Sequence, residues 1–255
     1  MKTGFKFKIN TGIALLLVLC LIVLLGAYSL ISHKQTDISE FVININNKYE
    51  SNFINDTEIR DLINKIGVER NGESEESPSL KEIEQKLEAV DFIKKAEVSK
   101  DIQGNMIIDV YQDRPIARII AGNGQSAYIN QERKLLDLSN KYTARVLLVT
   151  GSGASKLFKK GYFDTEEGQH LFDMISFLGQ DKFWQAQLTQ LDLNSQMEIT
   201  AYTQVGKEVI EMGTAEGFRR KLGKLRVFYN EIIPKMGWNY YNTIKLQYKD
   251  QIVCK

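Results

Sequence analysis

The sequence predicts an α+β protein with a single N-terminal transmembrane helix, a strand–helix–helix–strand–strand unit, and a mostly antiparallel β domain bearing two helices. Three observations carry this. An uncharged apolar run occupies Ile13 to Ile31. Two amphipathic helical stretches lie among three alternating, strand-like stretches between Phe41 and Asp113. Beyond Pro115, short alternating segments separated by turn residues dominate, with only two further stretches at helical spacing.

As a helix rising ~1.5 Å per residue, the apolar run is about 28 Å long, close to the hydrocarbon thickness of a bilayer. Its only polar side chains are Cys20, Tyr28 and Ser29. Lys2, Lys6 and Lys8 precede it with no acidic residue, so residues 1–12 stay cytoplasmic, 13–32 span, and the rest is exported. Signal cleavage is the competing reading, since Ala27 and Ser29 are small residues spaced like a cleavage site. The run is longer than a usual signal core and continues through Leu30 and Ile31, which favours retention. Lipidation at Cys20 is disfavoured by the bulk of Leu19.

The charge balance narrows the function classes. Of 33 basic residues, the three N-terminal lysines aside, 30 face 32 acidic ones. A near-neutral exported part does not fit bulk nucleic-acid binding, which needs a strongly basic surface. Cys20 lies in the expected span and Cys254 is penultimate, so no internal disulfide is expected and packed cores must supply stability.

The polar tether 32–40 leads to FVININ (Phe41 to Asn46), which alternates as a strand does. Asp56 or Thr57 caps an expected helix with the stripe Ile59, Leu62, Ile63 and Ile66, ended by Gly67. An acidic, turn-rich loop runs from Val68 to Pro78. Ser79 followed by Glu82 forms a capping box for a second helix, with Leu80, Ile83, Leu87 and Val90 as its buried stripe. Strands over Lys94 to Lys100 and Asn105 to Asp113 follow, with Gly104 at the turn. Two helices on one face of a three-stranded sheet would bury both stripes.

Pro115 marks an edge or a boundary. ARIIA, SAYIN, KLLDLS and RVLLVTG read as strands. Thr165 to Asp181 reads as a helix with Leu171, Met174, Ile175 and Leu178 on one face. LTQLDLN, MEITAYT and KEVIEMG read as a three-stranded meander. Thr214 to Ile233 reads as one longer helix with Phe218, Leu222, Leu225, Tyr229 and Ile232 inside, stopped by Pro234. In YNTIKLQYKDQIVCK, Ile244, Leu246 and Tyr248 alternate with polar residues, predicting a final strand over Thr243 to Val253. No internal repeat or low-complexity tract is present.

Chemical motifs are sparse. GNGQSA (Gly122 to Ala127) fits a loose dinucleotide fingerprint, but a strand follows where phosphate binding needs a helix N-terminus. TGSGASK (Thr150 to Lys156) lacks the glycine before lysine of a phosphate loop. Both read as turns. His33 and His170 are the only histidines, and no nucleophile elbow or metal-ligand spacing accompanies them. Glu75–Glu76 and Glu166–Glu167 fall in a turn and at a helix start, where they solvate the surface or complement the helix dipole. The residues point to no cofactor, metal or small-molecule substrate, and to no enzyme. The most pronounced charged feature is Arg219, Arg220, Lys221, Lys224 and Arg226 on the last long helix. It reads as a solvated face, or as a surface for an acidic partner or for anionic groups near the membrane. A C-terminal strand beside it could present unpaired N–H and C=O groups to a strand of another protein.

Taken in order along the chain, these segments resemble the FtsQ/DivIB family of bitopic bacterial cell-division proteins, in the form found in Bacteroidetes-like bacteria. The apolar run and the strand–helix–helix–strand–strand order resemble its transmembrane segment and POTRA domain, here 33–114 with its tether. DFIKKAEVSKDIQGNMIIDVYQDRPIARI (Asp91 to Ile119) resembles the junction with the β domain, here 115–255. SAYINQERKLLDLSNKYTARVLLVTG (Ser126 to Gly151) resembles that domain's opening and YNTIKLQYKDQIVCK its terminal strand. The chain departs from the family pattern at Asn130, at the stretch from Gln131 to Lys134, at Leu136, and in the absence of a proline near the Leu-Leu-Val-Thr-Gly ending.

The resemblance implies a non-enzymatic scaffold in the cytoplasmic membrane at the division septum, with its C-terminal domains in the periplasm. It implies contacts with FtsB and FtsL through the β domain, FtsB adding a strand near the C-terminal edge, and recruitment contacts through the POTRA domain. The expected partner-binding residues are Arg219, Arg220 and Lys224 on the helix, Trp238, Tyr240 and Tyr241 as aromatic anchors, and Ile244, Leu246 and Tyr248 on the final strand. One alternative is a POTRA-bearing secretion or outer-membrane assembly factor, which predicts tandem POTRA units or a membrane barrel. An exported enzyme with an unfamiliar site is the other.

Overall fold

A computed structural model of the chain describes residues 18–25, 40–46, 53–68 and 78–255. Residues 18–25 form a helix (α1) with every side chain exposed. Among the described residues no helix is long and apolar enough to cross a membrane. The rest of the expected 13–32 span, with His33 and the Glu75–Glu76 pair, lies outside the described residues.

The first unit comprises β1 (Phe41–Asn46), α2 (Asp56–Ile66), α3 (Leu80–Glu88), β2 (Ile93–Lys100) and β3 (Met106–Gln112). The sheet order is β1-β3-β2, with β1 parallel and β2 antiparallel to the central β3. The cap of α2 is Asn55, one residue before the expected Asp56. Its side chain accepts from the Glu58 N–H while Glu58 accepts from the Asn55 N–H. Gly67 ends the helix at φ 84°, a left-handed position that costs a residue with Cβ more. Ser79 and Glu82 form the expected box on α3. Ile59, Ile63, Ile83 and Leu87 are fully buried against the sheet, each worth about 1.5–3 kcal/mol of burial. Along β2, the N–H groups of Ala96 and Val98 donate to Glu88 and Glu84 of α3 at 3.1 and 2.9 Å, which closes that sheet edge.

The second unit holds nine strands: β4 (Pro115–Ile120), β5 (Ser126–Asn130), β6 (Leu135–Leu136), β7 (Leu147–Thr150), β8 (Leu188–Leu193), β9 (Ile199–Thr203), β10 (Val209–Gly213), β11 (Thr243–Lys245) and β12 (Val253–Cys254). Their order is β12-β11-β10-β9-β8-β7-β4-β5-β6. The sheet is more mixed than expected, because β4–β7, β7–β8 and β10–β11 are parallel. The helices explain two of these. A parallel neighbour needs a crossover connection. Between β7 and β8 it is supplied by α4 (Glu166–Gln180) and α5 (Lys182–Gln187), and between β10 and β11 by α6 (Phe218–Val227) and α7 (Ile233–Met236). Residues β8–β9–β10 form the expected antiparallel meander. GNGQSA is the β4–β5 hairpin turn, closed by Gly124 N–H to Ala121. TGSGASK runs from the end of β7 into a 3-10 turn, Ser152–Phe158.

Three features were not foreseen. Helix α5 is one; its cap Asp181 accepts the N–H groups of Phe183 and Trp184 and also binds the Arg226 guanidinium at 2.7 Å. The expected Thr214 to Ile233 helix is instead α6, a π turn over Phe228–Ile232, and α7. The wider turn keeps Phe228 and Tyr229 buried but swings Ile232 outward to 38% exposure. The expected Thr243 to Val253 strand breaks into β11 and β12 around a loop.

Asp181 yields a pH prediction. Burial opposes its ionisation, but the Trp184 N–H, the Arg226 guanidinium and the Phe183 N–H outweigh it and hold the carboxyl below its ordinary value of 3.8. A depressed folded pKa contributes stability above the unfolded value and loses it as pH falls through the folded one. Asp181→Asn keeps a competent cap but no charge. The variant is expected to be less stable by about 1 kcal/mol at neutral pH, with the deficit closing once pH falls below the ordinary aspartate value. Urea unfolding across that range reads it; a deficit that does not change with pH contradicts it.

The two units share a joint. Tyr128 of β5 and Leu136 of β6 are buried in the first unit's core. Phe53 stacks on Phe92 with centroids 4.0 Å apart, and Tyr128 meets both rings edge-on. Phe92 sits at φ 67°, a left-handed conformation that an aromatic residue adopts only when its surroundings impose it. Around this core, Asn130 donates to Asp113 at 2.6 Å, Lys94 pairs with Glu132 at 2.7 Å, and Lys141 pairs with Glu58. Pro115 opens β4 directly after this joint, a strand-start position that suits its missing N–H.

Candidate functional site

The nine-stranded sheet ends at β12, so its free edge there is only two residues long. Thr243 and Lys255 exchange both backbone hydrogen bonds, at 3.1 and 3.0 Å. Antiparallel pairs alternate between bonded and non-bonded, so the adjacent Ile244–Cys254 pair is non-bonded. The N–H and C=O of Cys254 therefore turn away from β11, toward the open edge. Behind β12, Lys245 of β11 pairs with Glu211 of β10 at 2.6 Å, and that hydrogen bond raises the Lys245 pKa.

The expected partner-binding residues divide into two groups. Ile244 and Leu246 are completely buried in the second core, so their side chains anchor the chain there and do not face solvent. Tyr241 is half-buried against Phe228. Trp238, Tyr240 and Tyr248 are exposed at 44%, 60% and 45%. Trp238 stacks on Tyr229, whose hydroxyl donates to the buried Glu208 at 2.9 Å. Burial and the Glu208 carboxylate push the Tyr229 phenol pKa up.

The basic cluster is not a uniform solvated face. Arg219 and Arg220 are exposed, Arg219 lying over Phe177 and Phe218 at 4.9 and 5.2 Å. Lys221 is buried and donates to the Thr214 carbonyl at 2.7 Å; burial pushes its pKa down while Glu216 pulls it up. Arg226 is engaged by Asp181 and lies over Phe183 and Trp184. Lys224 points into the C-terminal loop, where it donates to backbone carbonyls. Only Arg219 and Arg220 remain turned to solvent, beside an open cleft of about 720 Å³ that His170, Glu198, Glu216 and Lys221 also line. Among the described residues no group of three or more His, Cys, Asp or Glu is placed to hold a metal ion.

Two of these placements have a signal in the sequence. Glu208, one residue before β10, lies at two-residue spacing from Ile210 and Met212, which puts it on the core side with them. Lys221 lies three residues after Phe218 and four before Leu225, within the buried stripe. No local pattern announces that Lys224 reaches the C-terminal loop.

A three-stranded module with two helices on one face, packed against a wide mixed sheet that ends in a short free edge, defines a two-module docking scaffold. Residues 38–111 match the POTRA-like domain, and residues 114–255 match the family described as FtsQ/DivIB, C-terminal related. The chain belongs to that FtsQ/DivIB-related family, and is a division-associated POTRA scaffold built from non-catalytic scaffold domains. No curated protein matches it. Membership implies interactions with divisome proteins and a place among membrane proteins of the division site.

Proposed function

We propose that this chain is a single-pass, N-in membrane scaffold of the divisome that links early and late division proteins at the septum. Residues 13–32 anchor it, residues 33–114 serve recruitment, and residues 115–255 bind FtsB and FtsL outside the cytoplasm. The single observation that carries the reading is the open edge at β12, with the outward N–H and C=O of Cys254. Main-chain pairing there would supply affinity to an added strand from FtsB. Trp238 and Tyr240 offer aromatic contact area, and Arg219 and Arg220 offer charge to acidic segments.

Cys254→Pro tests it while sparing the β11–β12 hydrogen bonds, with only the partly buried Cys254 thiol lost from the margin of the second core. The Cys254 N–H is not used by β11, so proline is compatible with the hairpin and blocks only the outer side of the strand. Co-purification from dividing cells is expected to recover the intact chain with FtsB and FtsL, and the variant with at least about tenfold less FtsB. Undiminished recovery of FtsB with the variant would overturn strand addition at this edge.

A further inference from the structure

Three and two residues are too few for β11 and β12 to hold themselves as a hairpin. Between them, among the described residues, the backbone of 247–252 makes no hydrogen bond to other backbone. Leu246 and Ile252 pack its ends against the second core, and its polar fastening is one side chain. The Lys224 ammonium lies 2.5 Å from the Tyr248 carbonyl oxygen, 3.1 Å from that of Gln251, 3.4 Å from that of Leu246 and 3.5 Å from that of Lys249. Among the described residues it makes no ion pair with a carboxylate; its hydrogen bonds go to the carbonyls of a single turn of chain, and the Asp250 carboxylate of that turn attracts it at longer range.

An ammonium has three N–H donors and no acceptor, and hydrogen bonds from a charged donor are stronger than neutral ones. Four carbonyl dipoles converging on one point repel one another, and a positive charge at that point offsets the repulsion more strongly than a neutral donor would. Lysine suits this geometry because its charge is compact, whereas the planar fork of arginine spreads its donors. The entry to β11 is anchored separately, where Trp238 stacks on Tyr229 and Tyr229 binds Glu208. Both fastenings come from the α6-to-α7 crossover that precedes the hairpin.

We infer that Lys224 is a positioning residue: its caged ammonium latches the 246–252 loop and so sets the β12 edge in place for a partner, without touching that partner. The inference rests on the reading of β12 as the docking edge. It moves Lys224 from the contact surface to the support behind it.

Lys224→Met keeps an apolar stem of similar length and removes every donor. In the full-length chain, loop exchange, read at the hydrogen-bonded Thr243 and Lys255 amides of the hairpin that the 246–252 loop closes, is expected to quicken at least about tenfold. Exchange in β8, β9 and the three-stranded sheet stays as in the parent. Nitrogen-labelled lysine adds a signature that general packing would not produce: one slowly exchanging ammonium resonance in the parent, absent from the variant. FtsB recovery falls alongside. Unchanged loop exchange, or exchange that rises throughout the molecule, would overturn the latch. Faster loop exchange with FtsB recovery intact would sustain the latch and overturn the edge reading. Loss of FtsB in Cys254→Pro with parental loop exchange sustains the edge reading on its own, so the two ideas fail separately.

Discussion

Leu246→Ala is expected to destabilise the second unit by about 2–5 kcal/mol, whereas Tyr248→Ala, two residues on, changes stability by less than about 0.5 kcal/mol. The contrast follows from position. Leu246 is completely buried, and its N–H donates to the Glu211 carbonyl at 2.9 Å, so the truncation opens a cavity where the hairpin leaves the core. Tyr248 stands 45% exposed on the loop. Urea unfolding of the full-length variants measures both. Recovery of FtsB supplies the functional half: Tyr248→Ala should lower it in a protein of parental stability, as a contact residue would. Equal destabilisation by the two substitutions would place Tyr248 in the core and remove it from the docking surface.

The second large effect lies at the joint between the units. Tyr128→Ala is expected to cost about 3–5 kcal/mol, the range for removing a buried large aromatic side chain. Tyr128 is 1% exposed, packs edge-on to Phe53 and Phe92, and accepts the Ala144 N–H on its hydroxyl at 3.1 Å. Because this ring belongs to β5 yet fills the core of the first unit, its loss should separate two unfolding events that are one in the parent. Calorimetry reads this as a split transition. Tyr128→Phe, which removes only the hydroxyl, should cost about 1 kcal/mol and keep a single transition. A single unsplit transition in Tyr128→Ala would show that the joint does not couple the units. A coupled joint matters for the proposed function, since the docking edge at β12 is then held in a set relation to the module nearest the expected anchor.

Local features of this fold are legible because their causes are local. The Ser79–Glu82 box satisfies N–H groups three residues apart, and Ile59 and Ile63 lie on one helix face whatever surrounds them. The meander β8–β9–β10 follows from two-residue alternation between turns. Even the shift of the first cap to Asn55 is a one-residue change: from extended backbone its side chain reaches forward to accept the Glu58 N–H. Helix continuity past Val227 could not be read the same way, since the stripe at Tyr229 and Ile232 fits an α turn, whereas the π turn places Tyr229 on the distant, buried Glu208.

The candidate site stands at the other extreme. Alternation of Ile244, Leu246 and Tyr248 is visible in the residues, and with it a strand, a terminal position and a family. Which of those three side chains faces a partner is not, because that depends on the core above β11 and on where the chain turns back. The cage around Lys224 joins residues 22 to 27 positions apart. Periodicity constrains neighbours within a turn or a pleat; contacts across a crossover exist only once the helix is laid on the sheet. The amino-acid order therefore specified the elements, their buried faces and the kind of protein they compose. The parallel pairings, the two-residue edge and the lysine behind it were decided by how those elements met, since each depends on segments brought together only by the packed core.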